Sequence, residues 1–210
     1  MKNYAKFVFD MDGTLVDSKD AVEKAWSLWA LEHNINIDRI LAISHGRPAD
    51  EVIKEVMPHL NIKQEIAKLE AIELDNVDSV KPIRGAIAFL NKLNDHDWAI
   101  FTSAPRELAV QRLIAATIPV PKILVTVEDV QKGKPDPEGY KLTAKKLKVV
   151  PEQCLVFEDA LAGMQSALSA GCDVVNITAV APKQPTIRGV TLAKDYFDVS
   201  AYLNDHFIQI

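Results

Sequence analysis

The chain has 210 residues, 48% of them hydrophobic, and a formal net charge of −5 from 24 basic and 29 acidic side chains. That composition supports a packed core and excludes a disordered chain, and the lack of a basic tract speaks against nucleic-acid binding, which needs clustered Lys and Arg. No stretch approaches the ~18 apolar residues of a membrane span and no signal-like run precedes the first strand, so the expectation is a soluble, cytoplasmic protein with no membrane partner; nothing demands more than a monomer.

The first strand is expected over residues 6–10, where Phe7-Val8-Phe9 runs directly into Asp10-Met11-Asp12-Gly13. In a strand, positions i and i+2 share a side, so both carboxylates leave the strand end toward one point, and Gly13 then lets the chain turn. Two converging carboxylates repel unless a proton or a metal ion intervenes, and a hard divalent cation such as Mg²⁺ would resolve the repulsion. The bland alternative is a buried strand ending in an ordinary Asp-Gly turn.

Between residues 18 and 80 the pattern is helical only. Val22, Trp26, Trp29 and Ala30 share one helix face; Val52, Ile53, Val56 and Met57 another; Ile66, Leu69, Ile72 and Glu73 a third. A helical block inserted after the first strand cannot extend a sheet and is expected above it as a small cap. Trp26 and Trp29 read as packing residues. Residues 81–85, with Pro82 and Gly85, read as a hinge back into the core.

From residue 83 onward strands and helices alternate. Helices are expected over 85–94, 106–116, 137–147 (with Asp136 as cap and a first-turn proline) and 160–170, the last closed by Gly171. Strands are expected over 98–102, 122–125, 154–157 and 173–177. The alternation implies a parallel sheet covered on both faces. Cys154 and Cys172 lack metal-like spacing and read as small buried hydrophobes.

In an open α/β sheet, ligands bind beyond the carboxyl ends of the strands, and the remaining polar candidates fall at such ends. Ser103 follows the 98–102 strand; its hydroxyl could bind a phosphoryl oxygen beside the free N–H groups of the next helix, or serve simply as an N-cap. Lys134, biased toward an extended backbone by Pro135, could hold an anion next to Asp10, with Lys132 as the more exposed competitor. Glu158-Asp159 ends a buried strand and opens a helix; the helix dipole alone accounts for one acid there, whereas a pair fits metal ligation better.

Asp10-Met11-Asp12-Gly13-Thr14, Ser103, Gly133-Lys134-Pro135 and Phe157-Glu158-Asp159-Ala160 with Ala162-Gly163 resemble, in order, the four motifs of the haloacid dehalogenase superfamily in its phosphatase form. The details are most similar to the sugar phosphatase branch, which includes hexitol, 2-deoxyglucose-6-phosphate and glycerol phosphatases. The resemblance implies an α/β fold: a Rossmannoid parallel-sheet core over 1–17 and 81–210, with an α-helical cap over 18–80. It implies Mg²⁺-dependent hydrolysis of small sugar or polyol phosphates through an aspartyl-phosphate. Asp10 would be the nucleophile and Asp12 the general acid/base, with the Asp12 backbone carbonyl on the metal. Ser103, Ala104 and Lys134 would contact the phosphate; Thr102 competes with Ser103, and the motif alignment favours Ser103. Asp10, Asp12 and Asp159 would hold Mg²⁺, with Glu158 binding it directly or through water. The cap segment His45-Gly46-Arg47-Pro48 resembles the branch's substrate-specificity loop. Two departures stand out: Ala104-Pro105 replaces the usual Gly-Ser/Thr, and Leu161 replaces a frequent Pro. The nearest alternative is a β-phosphoglucomutase-like isomerase, but Val22 stands where those mutases carry a His that restrains hydrolysis. A dehalogenase would have no use for Asp12, and a binding module none for a complete motif set.

Overall fold

The computed structural model describes residues 4–44, 47–180 and 187–200. Its core is a six-stranded, wholly parallel sheet in the order β5-β4-β1-β6-β7-β8. The strands are β1 (Lys6–Phe9), β4 (Trp98–Phe101), β5 (Leu124–Val125), β6 (Cys154–Glu158), β7 (Asp173–Ile177) and β8 (Val190–Ala193). Strand β1 pairs on both sides, Phe9 opposing Ile100 of β4 and Phe157 of β6. It is therefore an interior strand, consistent with its unbroken apolar run.

Pleating divides the core. Phe9, Ile100 and Phe157 point to one face and pack with α5 (Ala86–Leu90) and α6 (Arg106–Ala115). Val8, Ala99, Phe101 and Val156 point to the other, toward α7 (Glu138–Lys146) and α8 (Leu161–Ala170). Phe9 and Phe157 stack at 4.7 Å between ring centroids, with Phe89 edge-on to both, an arrangement that adds to the area burial of the rings.

The helical block comprises α1 (Lys19–Glu32), α2 (Ile37–Ser44), α3 (Ala49–Val56) and α4 (Ile62–Asp75). It has its own apolar cluster, which includes Trp26, Trp29, Ile40, Ile53 and Leu69. Both tryptophans are packing residues, their rings edge-to-face at 5.6 Å. The Trp29 indole N–H donates to Glu65 Oε2 at 2.8 Å, and that same oxygen lies 2.9 Å from His33 Nε2.

Several elements differ from expectation. The segment read as a hinge forms β3 (Lys81–Pro82), antiparallel to β2 (Val16–Asp17), and the Ile83 N–H donates to the Leu15 carbonyl at 2.8 Å. The two chain crossings between core and cap are thus tied together, and a two-residue strand is too short to show periodicity. Helix α2 and strand β8 were not expected. Helix α5 stops at Leu90, short of residue 94. The Asp136 cap does form, with Oδ1 accepting the Glu138 N–H at 3.0 Å, but Pro137 sits at the cap position rather than inside the helix. Cys154 and Cys172 are free and buried.

Candidate active site

Asp10 lies one residue beyond β1, and its N–H donates to the Phe157 carbonyl at 2.9 Å, which fixes it against the end of β6. Its carboxylate meets Lys134, whose Nζ also donates to Glu158 Oε1 at 2.6 Å. The Lys134 ammonium is buried over the rings of Phe101 (5.0 Å) and Tyr140 (5.5 Å), where cation–π attraction partly replaces lost hydration. The Lys134–Pro135 peptide bond is cis.

Glu158 is the most constrained side chain of the group. Its Oε1 accepts from Lys134 and from the Tyr140 hydroxyl at 2.9 Å; its Oε2 accepts the N–H groups of Asp159 (2.9 Å) and Ala160 (3.0 Å). Both oxygens are already engaged, so its geometry suits orienting the site better than ligating directly. Gly163 in α8 makes room for it, since a Cβ there would overlap the carboxylate. Gly13 does the same for Asp159 at a φ of 76°, where its Cβ would overlap Oδ2. Thr14 Oγ1 stands 3.5 Å from the other Asp159 oxygen.

Asp10, Glu158 and Asp159 are all buried, and each offers an oxygen within 4.8 Å of the others. Lys134 is the only cation that touches them among the described residues. The electrostatics follow. Burial pushes Asp10 up to about 7, Lys134 opposing and Glu158 and Asp12 adding to the rise. Burial, with Asp10 and Glu158 beside it, carries Asp159 well above the usual carboxylate range. Burial acts against the charge on Lys134, yet the neighbouring carboxylates of Asp10 and Glu158 hold it above its ordinary value. Three carboxylates against one ammonium leave the cluster short of positive charge, and the Asp10 and Asp159 oxygens brought together there suit a hard divalent cation. The residues fit the metal that the sequence implies.

Asp12 stands apart from this cluster, with both oxygens held. Ser18, at the start of α1, donates to Oδ1 at 2.6 Å, and Arg112 of α6 contributes Nη1 to Oδ2 at 2.9 Å. The other end of the guanidinium pairs with Glu73 of α4, in the cap. Burial raises Glu73 to about 7 against the pull of Arg112, with Asp12 and Glu70 adding to the rise.

The phosphate-side candidates divide. Thr102 is buried, hydrogen-bonded through its N–H to Val125 O at 3.0 Å, and its Oγ1 accepts the Ala104 N–H at 3.1 Å. Ser103 is exposed, Ala104 buried. Thr102 is thus turned into the protein and engaged with the backbone, while Ser103 stands exposed just beyond the end of β4. Arg47 is engaged on α3, 2.9 Å from Glu55 and 3.7 Å from Glu51. His45 and Gly46 lie outside the described residues.

Sequence reasoning missed Ser18, Tyr140 and Arg112. Arg112 left a legible sign: it shares the buried face of α6 with Leu108, Ala109 and Leu113. A charge on an apolar stripe calls for a partner. Tyr140 left none, because a tyrosine on a core helix looks like packing.

Among proteins of known activity, the chain is 42% identical to hexitol phosphatase A of Escherichia coli (strain K12) over 83% of each chain. It is 34% identical to 2-deoxyglucose-6-phosphate phosphatase 2 of Saccharomyces cerevisiae, over 82% of this chain and 79% of that one. A crystal structure of a hydrolase from Pseudomonas syringae superimposes with a TM-score of 0.81 at 26% identity, covering 97% of this chain and 99% of the other. The family model described as haloacid dehalogenase-like hydrolase matches residues 7–177, a span that runs from β1 through β7 and takes in every acid of the cluster. The chain belongs to the haloacid dehalogenase-like hydrolase family.

Proposed function

We propose that this protein is a Mg²⁺-dependent phosphatase of small sugar or polyol phosphates, working through an aspartyl-phosphate on Asp10. The observation that carries the reading is the pairing of Asp10 with Lys134 beside Glu158 and Asp159, at the carboxyl ends of β1 and β6. The substrate class is supported by the relatives, whose names specify hexitol and 2-deoxyglucose-6-phosphate substrates.

In the first step a carboxylate oxygen of Asp10 attacks phosphorus as the bond to the sugar oxygen breaks, and Asp12 gives its proton to that oxygen. In the second, water attacks the phosphorus of the aspartyl-phosphate and passes its proton to Asp12. Inorganic phosphate leaves and Asp10 is restored. Lys134 offsets charge on the phosphoryl oxygens, and Ser103 and Ala104, at the end of β4, would receive them. Asp10, Asp159 and the Asp12 backbone carbonyl would hold Mg²⁺, with Glu158 orienting the site. When bound, the ion would offset the phosphate's charge and draw it toward Asp10.

The core residues 1–17 and 81–210 carry this chemistry. The cap, residues 18–80 with His45, Gly46 and Arg47 in its loop, would exclude water and read the leaving group. Hydrolysis is favoured over isomerisation because Val22 packs against the cap's apolar cluster and can carry no proton.

Phosphate release measured over hexose, hexitol, glycerol and nucleotide phosphates tests the proposal. Mg²⁺-dependent turnover of sugar or polyol phosphates is expected. Conversion of a hexose 1-phosphate to the 6-phosphate without phosphate release, or turnover confined to nucleotides, would overturn it.

A further inference from the structure

We infer that Arg112 is a positioning residue for the reaction, and that through Glu73 it ties the setting of Asp12 to the docking of the cap. The inference rests on the general acid/base role proposed for Asp12.

Arg112 belongs to core helix α6 and is 4% exposed. Its two terminal nitrogens face opposite ways in function: Nη1 meets Asp12 Oδ2 at 2.9 Å, while Nη2 meets Glu73 Oε2, from the cap. Its Nε is buried and has no hydrogen-bond partner among the described residues. A buried guanidinium with one donor unsatisfied is a poor device for stability alone, since an apolar side chain of similar volume commonly serves as well or better. What this arrangement does supply is geometry. Asp12 is about 29% exposed at its side chain, enough to rotate unless held, and Ser18 alone would hold only Oδ1. The planar fork of Arg112 fixes the second oxygen.

The same fork makes that restraint depend on the cap. Glu73 lies on α4, and α4 packs on α6. With α4 docked, Glu73 holds one end of the guanidinium and the other end is aimed at Asp12. With α4 withdrawn, Arg112 loses that carboxylate and the long side chain is free to choose other rotamers. The acid/base would then be in register only under a closed cap, so proton transfer would be prepared when water is excluded.

The test uses leaving-group dependence, which a purely structural role would not alter. An alkyl phosphate, such as a hexitol phosphate, needs its leaving oxygen protonated; 4-nitrophenyl phosphate scarcely does. kcat/KM reports the step that forms the aspartyl-phosphate. Arg112→Lys, Glu73→Gln and Asp12→Asn are compared on both substrates, with thermal unfolding of each. Because general acid catalysis is commonly worth ~10²–10⁴-fold, Arg112→Lys is expected to lose roughly 10-fold or more on the alkyl phosphate and under about threefold on the aryl one. Glu73→Gln should give the same pattern with smaller losses, and Arg112→Lys/Glu73→Gln should lose no more than Arg112→Lys alone.

Arg112→Met/Glu73→Leu replaces the buried pair with apolar groups. It is expected to fold and still show the selective loss; full recovery of alkyl-phosphate turnover in that variant would mean that the pair serves packing only, and overturns the inference. Equal losses on both substrates in the Arg112 and Glu73 variants, while Asp12→Asn is selective, would also overturn it and leave the Asp12 assignment standing. An Asp12→Asn enzyme with no selectivity would remove both.

Discussion

Asp10, Glu158 and Asp159 form a site that opposes its own ionisation, and this gives a sharp expectation for the metal-free protein. The Asp10 carboxyl moves from 3.8 in an unfolded chain to about 7 in the fold. A carboxyl raised in this way favours folding fully below its unfolded value, and the contribution is lost as pH rises through the folded one. At ~1.4 kcal/mol per unit, ionising Asp10 costs the metal-free fold about 4 kcal/mol in all, of which roughly 2–3 kcal/mol falls between pH 5 and pH 7.5. Asp159, raised as well, adds a cost of the same sign. Glu73 does too, away from the three-acid cluster. Glu65, Asp97 and Asp129 are lowered, so their effects fall below pH 4.5, outside the window. Lys134 stays protonated throughout it and contributes no slope. Urea unfolding in EDTA should therefore show stability declining from pH 5 to pH 7.5. Saturating Mg²⁺ should stabilise far more at pH 7.5, where the acids are ready to ionise, than at pH 5. An EDTA-treated protein as stable at pH 7.5 as at pH 5, or an equal Mg²⁺ increment at both, would refute the reasoning.

Tyr140→Phe removes the hydroxyl that donates to Glu158 Oε1; Mg²⁺ titration of activity should show affinity weakened ~10–100-fold, as expected when a group that orients a metal site is lost. Gly163→Ala, ordinarily stabilising by about 0.5–1 kcal/mol in a helix, should instead lower the unfolding temperature and weaken Mg²⁺ binding, because the new Cβ would overlap the Glu158 carboxylate. Glu65→Ala strands the buried Trp29 N–H and should destabilise the cap by about 1–3 kcal/mol, read from tryptophan fluorescence in urea. Wild type should lose this contribution as pH falls below 4.5, because burial acts against the Glu65 charge but His33, Lys68 and Trp29 outweigh it and hold the carboxyl below its ordinary value; the gap in cap stability between wild type and Glu65→Ala should therefore narrow from pH 6 to pH 3.5, and an unchanged gap would contradict that. Ser103→Ala should reduce kcat/KM on every phosphate ester by more than Thr102→Ala does, and the reverse order would make Thr102 the phosphate-side hydroxyl.

The parts of this molecule that were legible in the sequence are those where one residue's surroundings are set by its neighbours along the chain. Phe7-Val8-Phe9 had to be a buried strand, and the acids after it had to meet at its end. Cys154 to Phe157 repeats the logic beside it, so register alone brings Glu158 to Asp10. The choice between Thr102 and Ser103 is of a different kind. Thr102 and Ser103 are adjacent, and which hydroxyl turns inward depends on where β4 releases the chain, a boundary that a one-residue slip reverses. The β2–β3 pair was hidden because two-residue strands carry too little pattern to outvote chance, and strand β8 because its Leu192 faces solvent and only Ala193 is buried.

Arg112 and Glu73 mark the deeper boundary. They lie 39 residues apart on two helices whose facing was not fixed by either helix alone. Glu73 fell into place on the apolar periodicity of its helix with Ile66, Leu69 and Ile72, and Arg112 interrupted the apolar stripe of its own. Each was an anomaly with a missing partner, and opposite charges on two buried faces are the only pairing that resolves both at once. Such residues are the ones through which one layer of a protein can sense another. The ordinary packing of cap on core needs no charge, so a buried ion pair at that seam, ending on the proposed acid/base, is where the coupling between closure and chemistry should first be sought.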